Sequence, residues 1–266
     1  MINVNGVEMR TEAQWAQKYR AVLKRQIEKG VRREWYVPGG KTAEAVFYRE
    51  DQTRPYNKRE LQKAKKKRRQ VSEYTLWKRR LRRIAKRPAV PCDNPSGIIV
   101  FDTETTGLDP GKGRDEILQL SIIDGDGNIL INTYIKPRWH DKWPKAAEIN
   151  GITPEMVADA PDPEEIISTV KGIFESADML IAYNGRFDLS FLDVWGIRPS
   201  EEQAVVDVML EFAEVYGERN YYYGGYKWQK LTTAASYYGY KFAAHDSLED
   251  VRATLFIYRK MREGES

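Results

Sequence analysis

Hydrophobic residues follow two different spacings along the chain. In roughly the first third they recur at three- and four-residue steps, which is the period of an amphipathic helix. Further on, short apolar runs of strand length alternate with helical patterns, an arrangement typical of α/β domains. Between these regions, residues 87–97 contain three prolines and a glycine and predict a linker. We therefore predict an extension at residues 1–90, a linker at 91–97 and a second domain at 98–266.

The extension is expected to be mainly helical. Thr11 and Gln14 have capping-box spacing, and apolar residues then recur at helical intervals as far as Gly30, so one helix is predicted there. A second helix is predicted over about residues 57–87, which are dense in helix formers. The apolar stripe of this second helix consists of Tyr74, Trp77, Leu81 and Ile84.

The second region predicts a mixed sheet flanked by helices. Strands are predicted at residues 98–101, 117–123, 129–135, 179–183 and 205–209, and the first and fourth of these are apolar runs suited to buried strands. The turn formers DGDGN at residues 124–128 join the second and third strands into a hairpin. Helices are predicted to begin at Thr153-Pro154 and at Asp162-Pro163, where a capping residue precedes a proline. Two more are predicted at residues 229–238 and 247–261, which makes the domain α/β.

Composition narrows the class of protein. The chain has 266 residues, of which 41% are hydrophobic and 31% charged, as in a globular protein with a core. No stretch approaches the about 18 consecutive apolar residues of a membrane span. The single cysteine, Cys92, excludes an intrachain disulfide and a cysteine-based zinc site. Because the N-terminus also lacks the pattern of a secretory signal, we expect a cytoplasmic protein without membrane association.

Charge is distributed unevenly between the two regions. Residues 1–90 contain 26 lysines and arginines against 9 aspartates and glutamates, whereas residues 91–266 contain 17 against 30. The overall net charge of +4 hides this asymmetry. A basic segment joined to an acidic domain suggests a polyanionic partner such as nucleic acid. The acidic domain alone would repel that partner unless bound cations or the basic segment reversed the local field.

Two carboxylates stand together at the end of the first predicted strand of the second domain. Side chains on a strand alternate, so Asp102 and Glu104 project from the same face. Placed side by side at a buried strand end they repel each other and lose hydration, and a divalent cation resolves both problems. An isolated pair of this kind is more often two solvated acids. Here the preceding apolar run and the following Thr-Thr-Gly turn favour a functional site.

Two further acids and a histidine extend the candidate site. Asp188 lies near a predicted helix start, where an acid is commonly a cap or a dipole partner. His245 precedes the last predicted helix, and Asp250 lies in its first turns. The other histidine, His140, is predicted in a surface loop, so a histidine general base would be His245 rather than His140. Imidazole suits that task because it exchanges protons near neutral pH. In isolation, His245 would be interpreted as a helix-capping residue.

The acids in this set share one ligand chemistry. Hard carboxylate oxygens select Mg²⁺ or Mn²⁺ rather than zinc. Two such ions about 3.5–4 Å apart can activate a water and stabilise the leaving oxygen of a phosphodiester. We therefore expect a pair of Mg²⁺ or Mn²⁺ ions held by Asp102, Glu104, Asp188 and Asp250.

The order and spacing of these motifs resemble the DEDDh exonuclease family, which includes the proofreading subunit of bacterial DNA polymerase III. The resemblance covers about residues 97–262. Phe101–Leu108 matches the first family motif, Asn184–Leu192 the second and His245–Asp250 the third. Histidine, rather than tyrosine, stands in the third motif.

This resemblance implies an RNase H-like fold and a metal-dependent 3′–5′ exonuclease. The implied reaction hydrolyses phosphodiester bonds from the 3′ end of nucleic acid and releases nucleoside 5′-monophosphates. It further implies that Asp102, Glu104 and Asp250 hold the metal ions, with Asp188 contributing directly or through water. His245 would take the proton from the attacking water.

Contacts to the substrate follow from the same resemblance. Thr105, Gly107 and Leu108 match positions that line the family's pocket for the terminal nucleotide. Asn184 and Phe187 are similar candidates, and core packing is an equal alternative for Phe187.

Two other segments bear on the site. Residues 148–154 resemble a family segment that often carries histidine where this chain has Asn150, and we expect this segment to lie outside the metal cluster. Residues 221–226, YYYGGY, form an aromatic loop that either packs as a turn or stacks on bases.

The densest basic run is predicted to bind phosphates without sequence preference. A charge run is commonly only a solvated face, but beside a nuclease domain phosphate binding is the better hypothesis. The residues proposed for these contacts are Lys65, Lys66, Lys67, Arg68, Arg69, Arg79, Arg80, Arg82 and Arg83. The alternative is that the extension binds a partner, such as a polymerase or another replication or repair assembly.

The expected substrate is nucleic acid with a free 3′ end, single-stranded or frayed, with DNA preferred over RNA. Two alternatives stay open: an RNA 3′–5′ exonuclease, and a nucleic-acid-binding module whose hydrolysis is incidental. The complete acidic set argues against the second, because a pure binder has no need of buried carboxylates that repel one another.

Overall fold

The computed structural model describes residues 2–4, 7–37, 41–222 and 224–264, without the side chains of residues 35–37, 41–42 and 67–72. The chain divides into two compact units, Met1–Leu76 and Trp77–Ser266. Among the described residues, no helix combines the length and the apolar character needed to cross a bilayer.

The N-terminal unit is built largely from short antiparallel strands. Its elements are β1 (Ile2–Val4), β2 (Val7–Thr11), α1 (Glu12–Gln17), β3 (Arg20–Val22), β4 (Val31–Val37), β5 (Lys41–Tyr48), β6 (Thr53–Pro55) and the start of α2 (Lys58–Ala85). Four strands form a sheet of order β1-β2-β5-β4, and β3 pairs separately with β6. Trp15 on α1 is buried, and its indole nitrogen donates to the backbone oxygen of Tyr48 at 2.9 Å.

The prediction of a mainly helical extension is wrong for residues before α2. The capping box of Thr11 and Gln14 is present, but α1 ends at Gln17 instead of continuing to Gly30. Tyr19 adopts a left-handed conformation with φ of 57°, which a helix does not tolerate. The strand after it finds its backbone partners in β6. Tertiary pairing therefore overrides a local helical spacing of apolar residues.

The second predicted helix is confirmed as α2. The prediction covered about residues 57–87, and the helix spans Lys58–Ala85. Asn57 and Glu60 cap its start, because each side chain accepts from the other residue's backbone nitrogen at 2.9 Å. The boundary between the compact units falls inside this helix. The predicted domain division with a linker at 91–97 stays a prediction.

The second unit contains a five-stranded mixed sheet flanked by helices, as predicted. Its elements after α2 are β7 (Ile98–Thr105), β8 (Ile117–Asp124), β9 (Ile129–Tyr134), α3 (Pro144–Asn150), α4 (Pro163–Glu175), β10 (Met179–Ala182), α5 (Gly185–Trp195), β11 (Ala204–Asp207), α6 (Val208–Tyr216), α7 (Leu231–Tyr237) and α8 (Ser247–Glu263). The strand order is β11-β10-β7-β8-β9. β7, β8 and β9 are antiparallel neighbours, whereas β7, β10 and β11 run parallel.

Local signals placed most of these elements correctly. The hairpin of β8 and β9 is confirmed, and its turn is held by Asp124, whose carboxylate accepts from the backbone nitrogens of Asp126 and Asn128 at 2.9 and 2.8 Å. The helix start predicted at Asp162-Pro163 is confirmed as that of α4, where Asp162 and Glu165 form a capping box.

The helix predicted to begin at Thr153-Pro154 is wrong. The segment forms turns with three-residue hydrogen bonds, such as Met156 nitrogen to Thr153 oxygen. Ile152 and Val157 are both buried in a cluster with Leu118 and Trp143. The turn buries both side chains in this cluster, and tertiary context overrides the local capping signal at Thr153-Pro154.

Both faces of the sheet are covered by apolar packing. On one face, Val100 and Ile181 pack with Phe212 of α6, Ala234 of α7 and Leu255 of α8. On the other face, the ring of Phe101 lies 5.3 Å from that of Phe174 on α4. Because successive strand residues alternate between faces, Asp102 and Glu104 continue the row of Val100 toward α8.

Candidate active site

The carboxyl end of β7 lies beside that of its parallel neighbour β10. Ile181 pairs with Val100, so both strands end at the same edge of the sheet. After β7 the chain continues into β8 on one side, whereas β10 lies on the other side. Sheets of this kind commonly have a crevice where the strand order reverses, and ligands bind there.

Asp102 and Glu104 both lie on β7 at this edge. They pair across the ladder with Ser121 and Gln119 of β8, which holds their backbone in the sheet. A register shift follows Glu104, where β7 ends at the turn that was predicted after it. The expected common orientation of the two carboxylates follows from the observed strand.

Asp188 reaches the same edge from the first turn of α5. The helix begins directly after β10, where Asn184 has a left-handed φ of 64° that turns the chain. One carboxylate oxygen of buried Asp188 accepts from the backbone nitrogen of Thr103 at 3.0 Å and from its hydroxyl at 2.6 Å. These bonds fix the orientation of Asp188.

The start of α8 supplies Asp250 and His245. Asp246 caps this helix by accepting from the backbone nitrogens of Leu248 and Glu249 at 3.0 and 3.3 Å. The hydroxyl of Ser247, in the same turn, hydrogen-bonds that of Ser121 on β8 at 2.6 Å and ties the helix start to the sheet.

His245 is held in an uncommon backbone conformation. Its φ is 72°, in the left-handed region that few non-glycine residues adopt. Its backbone nitrogen donates to the two carboxylate oxygens of Asp250 at 3.3 and 3.4 Å. The imidazole is exposed, so the strained backbone presents it to solvent at the edge of the acidic cluster.

These residues converge although they come from three distant segments. Ligand atoms of Glu104, His245 and Asp250 all lie within 4.8 Å of one another, close enough to hold a metal ion. Asp102 is near enough to Asp188, Asp250 and Glu104 for each of these carboxylates to raise its pKa. The described residues therefore bring all five predicted catalytic side chains together.

Burial and mutual repulsion disfavour the charged forms of these acids. Burial raises the pKa of Asp102 well above its usual range, and the neighbouring carboxylates add to the effect. Burial is also the main cause that raises the pKa of Glu104 to about 8 and those of Asp188 and Asp250 to about 7. A divalent cation would offset this penalty, and the donor set of carboxylate oxygens fits Mg²⁺ or Mn²⁺.

A cleft of about 550 Å³ opens over the carboxylates. It is lined by Asp102, Thr103, Glu104, Tyr183, Asn184, Phe187, Asp188, Met209, Trp228, Gln229, Lys230, Leu231, Thr232, Ala244, His245 and Asp250. Acidic groups thus share this cleft with apolar, aromatic and basic side chains.

A model of the exonuclease family matches residues 99–258, which contain the whole cluster. The chain belongs to the exonuclease family. Its three acidic motifs are those of the DEDDh type, as the sequence predicted. The protein is accordingly a hydrolytic enzyme of nucleic acid.

Curated relatives agree with this assignment. An uncharacterized exonuclease of Escherichia phage 186 is 35% identical over 179 residues, which are 62% of this chain and 88% of the relative. The PolC-type DNA polymerase III of Thermotoga maritima is 28% identical over 172 residues, which are only 12% of that polymerase. A solved structure of exonuclease I has a TM-score of 0.51 at 21% identity, covering 62% of this chain and 40% of that one. It is similar in fold.

The predicted substrate residues of this exonuclease divide into two groups. Asn184 and Phe187 line the cleft, although Phe187 also packs on Phe191 with ring centres 5.0 Å apart. The other three, Thr105, Gly107 and Leu108, are not among the described lining residues of the cleft.

The surroundings of Thr105, Gly107 and Leu108 differ from one another. The hydroxyl of buried Thr105 donates to the backbone oxygen of Gly107 at 2.7 Å. A side chain at Gly107 would collide with Asp115, whose nearest atom lies 2.5 Å from the Cβ position. Leu108 is 83% exposed and is the only one of the three whose side chain is freely presented to solvent.

Asn150 contacts the metal cluster, contrary to the expectation for residues 148–154. Its side-chain amide lies near enough to the carboxylate of Glu104 to oppose the rise in the pKa of that acid. The amide nitrogen also donates to the backbone oxygen of Thr105 at 3.3 Å, and the amide oxygen accepts from Ile152 at 3.1 Å. The expectation failed because α3 ends at this residue, and the left-handed Gly151 that follows turns the chain beside β7.

Several residues that line the cleft lie outside the motifs that the sequence predicts. Tyr183, Met209, Trp228 and Lys230 line the cleft but belong to no acidic motif. Trp228 is 69% exposed. An exposed tryptophan close to a motif segment is a usable signal, but only the fold shows that it faces the carboxylates.

The basic residues predicted to bind phosphates have different surroundings. Lys65, Lys66, Arg79 and Arg83 are exposed, whereas the side chains of Lys67, Arg68 and Arg69 lie outside the described residues. Arg80 lies 3.7 Å from a carboxylate oxygen of Glu164. Arg82 donates to the backbone oxygen of Asp193 at 3.2 Å. Two of the predicted cations thus have acidic neighbours inside the second unit.

His140, the other histidine, lies in a loop as predicted and does not line the cleft. Its ring nitrogens are 3.4 Å from Asp115 and 3.6 Å from Glu116. The neighbouring carboxylate of Glu116 is the main cause that raises the pKa of His140.

Proposed function

We propose that this exonuclease removes nucleotides one at a time from the 3′ end of DNA, with two Mg²⁺ or Mn²⁺ ions as cofactors. The observation that carries the proposal is the convergence of four carboxylates, from β7, α5 and α8, with an exposed histidine in one cleft. Repelling acids in one cleft are costly without a cation, and their oxygens are the donors that such ions prefer.

Asp102, Glu104 and Asp250 would hold the ions, with Asp188 acting directly or through water. Bound divalent ions supply charge stabilisation and a more acidic water at a phosphodiester. The hydrogen bonds from Thr103 to Asp188 keep the ligand oxygens of that acid oriented, and the amide of Asn150 lies near Glu104.

His245 is proposed as the general base. Its imidazole is exposed at the edge of the acidic cluster, and its backbone is tied to Asp250, so the ring can accept a proton from the attacking water. Asn184 and Phe187 would contact the terminal nucleotide at the other wall of the cleft. Thr105, Gly107 and Leu108 remain proposed contacts, with exposed Leu108 the best placed to reach a base.

DNA is the proposed natural substrate, with nucleoside 5′-monophosphates as products. The similarity to a PolC-type DNA polymerase supports DNA over RNA. The exposed cations Lys65, Lys66, Arg79 and Arg83 are proposed to bind the backbone of the same strand. The alternative for this basic segment is attachment to a polymerase or another replication or repair assembly.

A labelled strand tests the reaction directly. A single-stranded DNA with a 5′ label and an RNA of the same sequence are incubated with the full chain and Mg²⁺. The expected result is a ladder that shortens from the 3′ end, faster for DNA, and that disappears in Asp102→Ala or in excess chelator.

Other outcomes select the alternatives. If RNA is shortened faster than DNA, the proposed natural substrate is RNA instead of DNA. Tight binding of both strands without any shortening in Mg²⁺ or Mn²⁺ would reject the enzyme and leave a nucleic-acid-binding module. Internal cleavage without a ladder would reject the exonuclease mode.

A further inference from the structure

Trp228 is exposed to a degree that is costly for its side chain. It is 69% exposed, whereas Trp15, Trp77, Trp143 and Trp195 are each 5% exposed or less. Apolar surface in water is unfavourable in proportion to its area, and indole is the largest side chain. An indole kept in water beside an enzyme cleft is a candidate contact for a ligand.

The segment that carries Trp228 is a hairpin, of which residues 217–222 and 224–230 are described and are called here the aromatic hairpin. Arg219 and Tyr226 form an antiparallel bridge in it. The backbone nitrogen of Lys227 donates to the oxygen of Glu218 at 2.8 Å, which closes the base of the hairpin. Its turn contains Gly224, whose φ of 76° suits a residue without a side chain.

Both sequence neighbours of Trp228 are held by polar contacts. The ammonium of Lys227 lies 2.6 Å from the Glu218 carboxylate, and the amide of Gln229 donates to the same carboxylate at 3.1 Å. The hydroxyl of Tyr183, at the end of β10, donates to the backbone oxygen of Gln229 at 2.8 Å. The exposed indole is therefore held at a defined place beside the sheet edge, which reduces the entropy lost when a ligand binds.

The indole lines the cleft that contains the carboxylates, and a cation lies two residues further on. Lys230 lines the same cleft, is exposed, and has no ion-pair partner among the described residues. An aromatic face with a nearby cation is the combination that binds unpaired nucleotides, because the base stacks on the ring and the phosphate meets the charge.

We propose that Trp228 is a stacking platform for an unpaired base of the strand that enters the cleft, and that Lys230 contacts a phosphate of that strand. The inference rests on the proposed function for the identity of the ligand and makes it more specific. A base inside a duplex is already stacked on both sides and cannot also stack on an indole. The substrate class is therefore a single-stranded or frayed end.

Binding is measured in the Asp102→Asn background of the full chain, so that no strand is consumed. The probe is a fluorescent 12-residue oligothymidine, followed by anisotropy with Mg²⁺ present. Loss of base–aromatic stacking by Trp228→Ala is expected to raise Kd about 5- to 100-fold. Trp228→Phe should restore most of the affinity, because phenylalanine keeps an aromatic face.

Tyr221→Ala is the matched control. Tyr221 lies in the same hairpin and is 95% exposed, but it does not line the cleft, so its removal should leave Kd within about twofold. An equal loss of affinity in Tyr221→Ala, or no recovery in Trp228→Phe, would show that binding depends on the hairpin in general. Either result would contradict the proposal that Trp228 stacks on a base.

Tryptophan fluorescence gives a readout that a merely structural role would not change. Stacking of a base on Trp228 should quench the emission of the Asp102→Asn protein when unlabelled oligothymidine is added. The quenching should largely vanish with Trp228→Phe while binding persists. Quenching that survives this substitution would place the contact on another tryptophan and reject the proposal.

A blunt duplex of matching length completes the test. Its affinity should be insensitive to Trp228→Ala, and an equal loss for duplex and single strand would contradict the assignment to unpaired bases. Because these measurements need no turnover, they are independent of the cleavage assay. A wild-type protein that binds through Trp228 but never shortens a strand would overturn the proposed function and leave this inference intact.

Discussion

The two compact units differ in the sign of their excess charge and in the burial of their charged residues. The N-terminal unit, residues 1–76, has 19 lysines and arginines against 9 acids, and cations such as Lys65 and Lys66 are exposed. The second unit, residues 77–266, has 24 against 30, and it brings four acids together at one sheet edge. There, burial raises the pKa of Glu104 to about 8 and that of Asp188 to about 7.

This contrast shows which charges carry information about function. An exposed cation costs little and is compatible with many roles. Buried acids that repel one another destabilise the fold unless a ligand compensates. The acidic cluster therefore specifies a cationic cofactor much more strongly than the basic segment specifies a partner.

The largest expected loss of activity comes from replacing an acid of the cluster, and an acid outside the cluster serves as its control. Asp188→Asn should lower kcat/KM by about 10³-fold or more, because a ligand oxygen of the cofactor site becomes neutral. Asp193→Asn is the control on the same helix, five residues on, and it removes a half-buried carboxylate that pairs with Arg198 and Arg82 and does not line the cleft. It should stay within about twofold of the parent. Steady-state cleavage rates measure both, and equal losses would contradict the assignment of Asp188.

Removing the hydroxyl that orients Asp188 should have the next largest effect. Thr103→Val keeps the shape of the side chain but removes the donor at 2.6 Å. Groups that orient a metal ligand are commonly worth about 10- to 100-fold in activity. Thr103→Ser keeps the hydroxyl and should recover most of the rate. A Thr103→Val enzyme with unchanged activity would show that the orientation of Asp188 is set elsewhere.

Metal binding should change stability in a pH-dependent way. In chelator, Glu104 keeps its proton up to about pH 8 when folded, whereas in the unfolded chain it loses it near the ordinary value of 4.5. The unfolded state then binds fewer protons, so the free energy of unfolding should fall as the pH rises between these values. At pH 8, Mn²⁺ at 100 times its Kd should restore about 2.7 kcal/mol.

Denaturant titrations in chelator and in Mn²⁺ check this linkage. Glu104→Gln has no titrating carboxyl, so its stability in chelator should depend less on pH, and Mn²⁺ should stabilise it less. A parent protein whose stability in chelator is constant or rises from pH 5 to 8 would contradict the repulsive cluster.

The smallest effect concerns the exposed cations. Reversing Lys65 and Lys66 to glutamate should reduce the slope of log Kd against log salt by about 1–2 for single-stranded DNA, because each lysine that meets a phosphate releases counterions. The same double reversal at exposed Lys142 and Lys145 on the second unit is the charge-matched control. Equal changes in both pairs would indicate a general charge effect, and no change at Lys65 and Lys66 would favour a protein partner for the basic segment.

Much of the fold and the acidic set could be predicted locally. The row of Val100, Asp102 and Glu104 follows from strand alternation, and the β8–β9 hairpin follows from the DGDGN turn. The start of α4 follows from its capping box at Asp162. These signals depend on residues within a few positions of each other, so they survive in almost any tertiary context.

Predictions failed where distant backbone partners decide the conformation. Residues after Gln17 form strands because β3 finds its partner in β6. Thr153 is followed by a turn rather than a helix, and this segment packs Ile152 and Val157 against Leu118 and Trp143 of the core. Arg80 lies beside Glu164, and Arg82 lies beside Asp193. No local sequence pattern predicts either contact.

By itself, the sequence determined the identity of the acids, their order and the elements that carry them, because side-chain period and capping act over a few residues. Only the tertiary structure decided which side chains share the cleft. Asp188 meets Thr103 across 85 positions of chain, and Asn150 and Trp228 join the site through the turn after α3 and the hairpin beside β10. The physical reason is that such contacts depend on the parallel pairing of β7 with β10 and on the docking of α5 and α8, which arise only when the sheet and helices pack.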